Sequence, residues 1–125
     1  MLNNKDAVAT IAVKDLETAS KFYKDTLGLA QVGAENGHVL IFKSGNTLIN
    51  VYRSQYAGTN QATSMTWAVG EELESIVQQL KAKGVQFEHY EMPGITREGD
   101  IHLGGNRKVA WFKDPDGNIL NIVNS

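Results

Sequence analysis

The chain has 125 residues, a formal net charge of −2, 42% hydrophobic and 21% charged residues, and no cysteine. Such a length and balance predict one folded domain spanning 1–125, and the lack of a basic excess argues against a nucleic-acid partner. Disulfides, thiolate nucleophiles and Cys-ligated zinc are excluded, and no apolar run approaches the roughly 20 residues that cross a bilayer.

Val8–Val13 is rich in β-branched residues and reads as a strand. Asp15 is placed to N-cap a helix to about Leu27, whose buried stripe is Leu16, Ala19, Phe22, Tyr23 and Leu27. Gly28 follows where a left-handed residue is wanted. Val39–Phe42 and Leu48–Tyr52 are two more strands, joined by a tight turn at Ser44, Gly45 and Asn46. Met65–Val69 is the next strand, and Glu71 or Glu72 begins a helix carrying Leu73, Ile76, Val77 and Leu80 on one face. Gly84 ends that helix, and Val85–Tyr90 reads as a strand. A long excursion, Glu91–Asn106, contains Pro93-Gly94 and Gly104-Gly105, and its Met92, Ile95, Ile101 and Leu103 suit a flap, a packed crossover or a subunit contact. Lys108–Phe112 and Ile119–Val123 close the chain as a hairpin, in whose turn Pro115 fixes φ and Gly117 supplies φ > 0.

These elements occur twice. Thr10–Val13 and Thr66–Val69, and the closing Gly28 and Gly84, recur at a spacing of 56. Phe42-Lys43 before Gly45-Asn46 echoes Phe112-Lys113 before Gly117-Asn118. Two copies do not make a solenoid. They predict an α+β fold of two βαβββ modules, roughly 7–56 and 63–123.

Alternation gives the first strand of each copy two faces. Ile11, Val13, Trp67 and Val69 are large and apolar and should pack on the helices. Val8, Thr10 and Ala12, and equivalently Ser64, Thr66 and Ala68, are small or weakly polar, which suits a partly wet concave surface rather than a second core layer. By the same parity Asn50 shares a face with Tyr52, and Asn121 with Ile119 and Val123. Trp111 alternates with Phe112, so it either lines a cavity or joins the core. The predicted ligand-binding set is therefore Thr10, Asn50, Tyr52, Ser64, Thr66, Trp111 and Asn121. It offers amides, hydroxyls and aromatic surface without a fixed charge, which suits a small neutral or amphipathic molecule. His38, His89 and His102 do not converge under the repeat and read as exposed or loop-packing. A general base around His89, Tyr90 and Glu91 is the weaker reading beside a solvated strand edge. No catalytic residue is assigned.

Val13–Glu17, followed by Phe22-Tyr23 and Leu27-Gly28, resembles the opening of the vicinal oxygen chelate superfamily, and Ala110–Asn118 resembles its closing hairpin. This superfamily includes glyoxalase I, bleomycin-resistance proteins, fosfomycin-resistance enzymes and extradiol dioxygenases. The resemblance implies an incomplete, U-shaped barrel with the helices outside, a cavity between modules and a homodimer. It also implies metal-ligand positions, and these fall on Val8, Asn50, Ser64 and Asn121, none of them a carboxylate or imidazole. The expectation is accordingly a metal-independent, cytoplasmic small-molecule binder with no cofactor and no membrane partner. The competing class is a lyase, isomerase or dioxygenase of the same superfamily.

Overall fold

Asp15 begins the helical part of the first unit as the sequence requires. Its Oδ2 accepts hydrogen bonds from Thr18 N at 3.1 Å and Thr18 Oγ1 at 2.6 Å. Those bonds hold its carboxyl below the ordinary range. In the computed structural model, which describes residues 1–125, the chain is mixed α+β, with two open sheets and no closed barrel. It divides into two compact units, Met1–Ala57 and Gly58–Ser125.

The first unit runs β1 (Ala9–Val13), α1 (Leu16–Ser20), β2 (Ala30–Glu35), β3 (Val39–Ser44) and β4 (Thr47–Arg53). Its sheet order is β1-β4-β3-β2, with β1 parallel to β4 and the other pairs antiparallel. The helix predicted to reach Leu27 changes winding on the way: Lys21–Thr26 is a π-helical segment, and Leu27 N donates to Phe22 O at 2.9 Å. The apolar stripe survives, with Ala19 and Tyr23 buried and Leu16, Phe22 and Leu27 half-buried. Tyr23 packs on Phe42 of β3, ring centroids 5.9 Å apart, beside the buried Ile11, Val13, Ile49 and Val51. The βαβββ reading implies a strand before β3, but the sequence does not assign its residues. β2 has Gly33 at its middle and no fully buried residue, so it shows no alternation. The turn that pairs it with β3 does carry a signal: Asn36 (φ 53°) and Gly37 (φ 68°) are both left-handed, and His38 N donates to Glu35 O at 3.1 Å.

The second unit contains β5 (Thr63–Ala68), α2 (Leu73–Ala82), β6 (Phe87–Glu88), β7 (Thr96–Glu98), β8 (Ile101–Gly104), β9 (Arg107–Lys113) and β10 (Ile119–Val123). A 3₁₀ turn, Gly70–Glu72, leads into α2, which buries Leu73, Val77 and Leu80. The sheet order is β5-β10-β9-β8-β7, again with the first strand parallel to the last. One expectation needs correction here. The strand expected at Val85–Tyr90 shrinks to Phe87–Glu88, while the excursion contains the β7–β8 hairpin. Both β6 and β8 run antiparallel to β9, through Phe87↔Phe112, Glu88↔Trp111 and His102↔Val109. They are two ends of one strand position interrupted by the segment 89–100. The repeat shows the same interruption, because its spacing grows from 56 at the glycines to 70 between Phe42 and Phe112.

The closing turn is built as its residues dictate. Gly117 N donates to Asp114 O at 3.0 Å across Pro115, and Gly117 has φ 91°. The buried Asp114 carboxylate accepts from Asp116 N, Asn118 N and Asn118 Nδ2 at 2.8–3.0 Å. Phe112, 1% exposed, packs edge-on against Phe87.

Candidate functional site

The two sheets carry matching rows of residues. Thr10 of β1 pairs with Asn50 of β4, which pairs with Ile41 of β3. Thr66 of β5 pairs with Asn121 of β10, which pairs with Trp111 of β9. Cross-strand partners share a sheet face, so each unit presents a threonine and an asparagine side by side, opposite its buried apolar face. Tyr52 lies one alternation from Asn50, paired with Ala12 and Val39, and is 38% exposed. Ser64 is half-buried, two residues before Thr66, and its Oγ accepts from Asn60 Nδ2 at 3.3 Å. The structure thus places Thr10, Asn50 and Tyr52 on one face of the first sheet, and Thr66, Asn121 and Trp111 on one face of the second; the β5–β10 register shifts beside Ser64, so alternation does not carry that residue to the same face.

Trp111 organises the second set. Its Nε1 donates to Thr63 Oγ1 at 3.1 Å, and its ring meets Tyr90 at 5.3 Å and His102 at 4.8 Å between centroids, both nearly perpendicular. Three buried side-chain polar atoms have no hydrogen-bond partner: Tyr90 Oη, His102 Nδ1 and Asn121 Oδ1. All three belong to residues that touch or pair with Trp111. An unpaired buried polar atom costs about 1–3 kcal/mol, so a hydrogen-bonding partner at these atoms, water or ligand, is favoured.

His102 was expected in a loop; it lies in β8 and is 2% exposed. Its Nε2 accepts from Tyr90 N at 2.9 Å, which leaves the proton of a neutral ring on Nδ1. Burial pushes its pKa below the ordinary imidazole value, helped by the charges of His89 and Arg97 and opposed by the adjacent Val109 and Tyr90 backbone. Neither Tyr90 nor His102 was in the predicted set. The alternation Ile101-His102-Leu103 was the available signal, hidden by the glycines around it.

The depressed pKa has a sign. The unfolded chain binds the His102 proton more tightly than the folded one, so stability rises with pH through this window. The contribution is complete above about 6.5, the unperturbed value, and is lost as pH falls through the folded pKa. Melting temperatures measured at pH 7.5 and 5.5 are expected to fall on acidification, and less so in His102→Gln. An equal fall in both proteins would show that His102 does not contribute.

The base of the excursion is fixed by a second set of contacts. Asp100 pairs with Lys81 Nζ at 2.8 Å and His89 Nε2 at 2.7 Å, and these partners hold its carboxyl below the ordinary range. Asp100 is thereby engaged, and no three His, Cys, Asp or Glu side chains gather to hold a metal ion. At the positions where the resemblance places metal ligands stand a hydrocarbon, two neutral amides and a hydroxyl: Val8, Asn50, Asn121 and Ser64. Zinc, iron, nickel and manganese require imidazole, thiolate or carboxylate donors to replace their hydration, and this set does not fit them.

Residues 6–122 match the family model described as the glyoxalase/bleomycin resistance protein/dioxygenase superfamily. The chain belongs to that superfamily. It is 26% identical over 117 residues to the uncharacterized protein YraH of Bacillus subtilis (strain 168), covering 90% of this chain and 91% of YraH. Its fold is similar to that of a bleomycin-binding protein complexed with bleomycin, with a TM-score of 0.71, 19% identity and coverage of 98% and 99% of the two chains. It is also similar to lactoylglutathione lyase from Agrobacterium tumefaciens, with a TM-score of 0.69, 17% identity and coverage of 96% and 92%. The same fold thus occurs in a binding protein and in an enzyme. No helix is long and apolar enough to cross a membrane.

Proposed function

We propose that this superfamily member is a metal-independent binder of a small neutral or amphipathic molecule. The candidate contacts are Thr10, Asn50 and Tyr52 in the first unit and, in the second, Ser64, Thr66, Asn121 and Trp111. The observation that carries this reading is the group of partnerless polar atoms around Trp111, which a bound molecule with hydrogen-bonding groups and an aromatic or apolar body would satisfy. The absence of any fixed charge among the seven residues favours neutral ligands over phosphates. The donor set at the family's metal positions supports independence from a divalent ion. A cytoplasmic homodimer is part of the same proposal and rests on composition and on the family resemblance.

Native mass spectrometry of protein purified without chelator tests the proposal. The expected spectrum shows an organic adduct, or the bare chain where the ligand has dissociated, and no stoichiometric zinc, nickel, iron or manganese. A retained metal of that kind, lost on substituting Asn50 or Asn121, would contradict it.

A further inference from the structure

A cavity lies in the segment that interrupts the β6–β8 strand position. It measures about 420 Å³, within the range of about 300–1,000 Å³ typical of small-ligand sites. Its lining includes His89, Tyr90, Glu91, Met92, Ile95 and Arg97; of these only Tyr90, whose ring meets Trp111, also belongs to the surface described above.

Local sequence fixes its walls. Ile95 N donates to Met92 O at 3.2 Å across Pro93 and Gly94, and Gly94 has φ 77°. That is a type II turn with proline and glycine where the geometry needs them, and it brings Met92 and Ile95 together. The Ile95 side chain then seats directly on Gly104 of β8, where any Cβ would collide with its Cδ1. Arg97 is paired in register with His102, and Tyr90 N is bonded to the same His102 ring, so opposite walls are tied to one buried residue. His89 and Asp100 close the base of the segment at 2.7 Å. These ties make the cavity a preorganised feature of the hairpin rather than a gap in a loose loop.

Its chemistry is that of an amphipathic anion site. Arg97 makes no ion pair, and one guanidinium nitrogen donates to Gly99 O at 2.6 Å, which leaves its remaining donors available. Met92, 39% exposed, and Ile95 supply apolar surface, and Tyr90 supplies an aromatic wall. We propose that this excursion pocket is a second ligand site that takes a small amphipathic carboxylate. The carboxylate pairs with Arg97, and the apolar body lies on Met92, Ile95 and Tyr90. Glu91 at the rim disfavours polyanions and so restricts the site to singly charged molecules.

The test is titration of 4-phenylbutyrate into the ¹⁵N-labelled full-length chain, with 4-phenylbutyramide as the neutral isostere. Saturable amide shifts in 89–97 are expected for the carboxylate, with at least tenfold weaker binding of the amide. Arg97→Gln should weaken carboxylate binding at least tenfold, Arg97→Lys less, and Glu91→Gln should strengthen it. Unchanged resonances outside 89–104 establish that each variant is folded, and the carboxylate–amide comparison needs no variant. Absence of saturable shifts, equal affinity for the two probes, indifference to Arg97→Gln, or shifts confined to the Asn50 and Asn121 rows would each overturn the proposal. The Asn50 and Asn121 binding reading would stand in every one of those cases.

Discussion

Replacing Gly58 with valine is expected to destabilise the protein by at least about 3 kcal/mol. Gly58 has φ 74°, a backbone conformation that β-branched residues enter only under strain. A Cβ there would also collide with the Asp116 carbonyl oxygen, a rigid backbone atom of the closing turn. The collision cannot be relieved by a rotamer change, because Asp116 is held by its N–H bond to Asp114 Oδ1 at 3.0 Å. Gly84→Ala is the control. That residue has φ 92° but nothing within 4 Å of the added carbon, so only the conformational cost of about 1–2 kcal/mol remains. Urea unfolding followed by tryptophan fluorescence compares the two, with Trp67 and Trp111 both in the unit that contains Gly58. Against a total stability of about 5–15 kcal/mol, the Gly58→Val midpoint should move far more than the Gly84→Ala midpoint. Similar midpoints would show that the turn yields.

The sequence does not distinguish those two glycines, since both follow local patterns and the collision at Gly58 comes from a residue 58 positions away. Features carried by periodicity were legible: the Asp15 cap, both helix stripes, the β10 boundaries and the closing turn. Features set by tertiary context were not. β2 shows no alternation because none of its residues is fully buried, and only the Asn36-Gly37 turn announced it. The π-helical winding of Lys21–Thr26 keeps the same residues facing inward, so its apolar pattern reads like an ordinary helix. The excursion disguised β8 because Gly99 and Gly105 flank four strand residues, the last of which is Gly104. At the candidate site, strand parity put Thr10, Asn50, Thr66 and Asn121 in one set, and the registers pair Asn50 with Thr10 and Asn121 with Thr66. It could not find Tyr90 and His102, whose meeting with Trp111 depends on how the interrupted strand folds back on β9.

The combined variant Asn50→Leu/Asn121→Leu separates a binding role from a structural one. Asn121 is 8% exposed and its Oδ1 is partnerless, so leucine removes an unsatisfied acceptor and should leave stability unchanged or raised. Asn50 is half-buried on the face opposite the Phe42 core, where leucine is tolerated. Two lost hydrogen bonds to ligand, about 1–1.5 kcal/mol each, should weaken binding by about thirtyfold or more. The direct measurement is a thermal-shift titration of wild type and this variant with a panel of neutral aromatic amides and alcohols, in excess EDTA. The account predicts that compounds stabilise the wild type undiminished by EDTA, and that their effect disappears in a variant whose own melting temperature is no lower. Stabilisation abolished by EDTA, or retained in full by the variant, would contradict it.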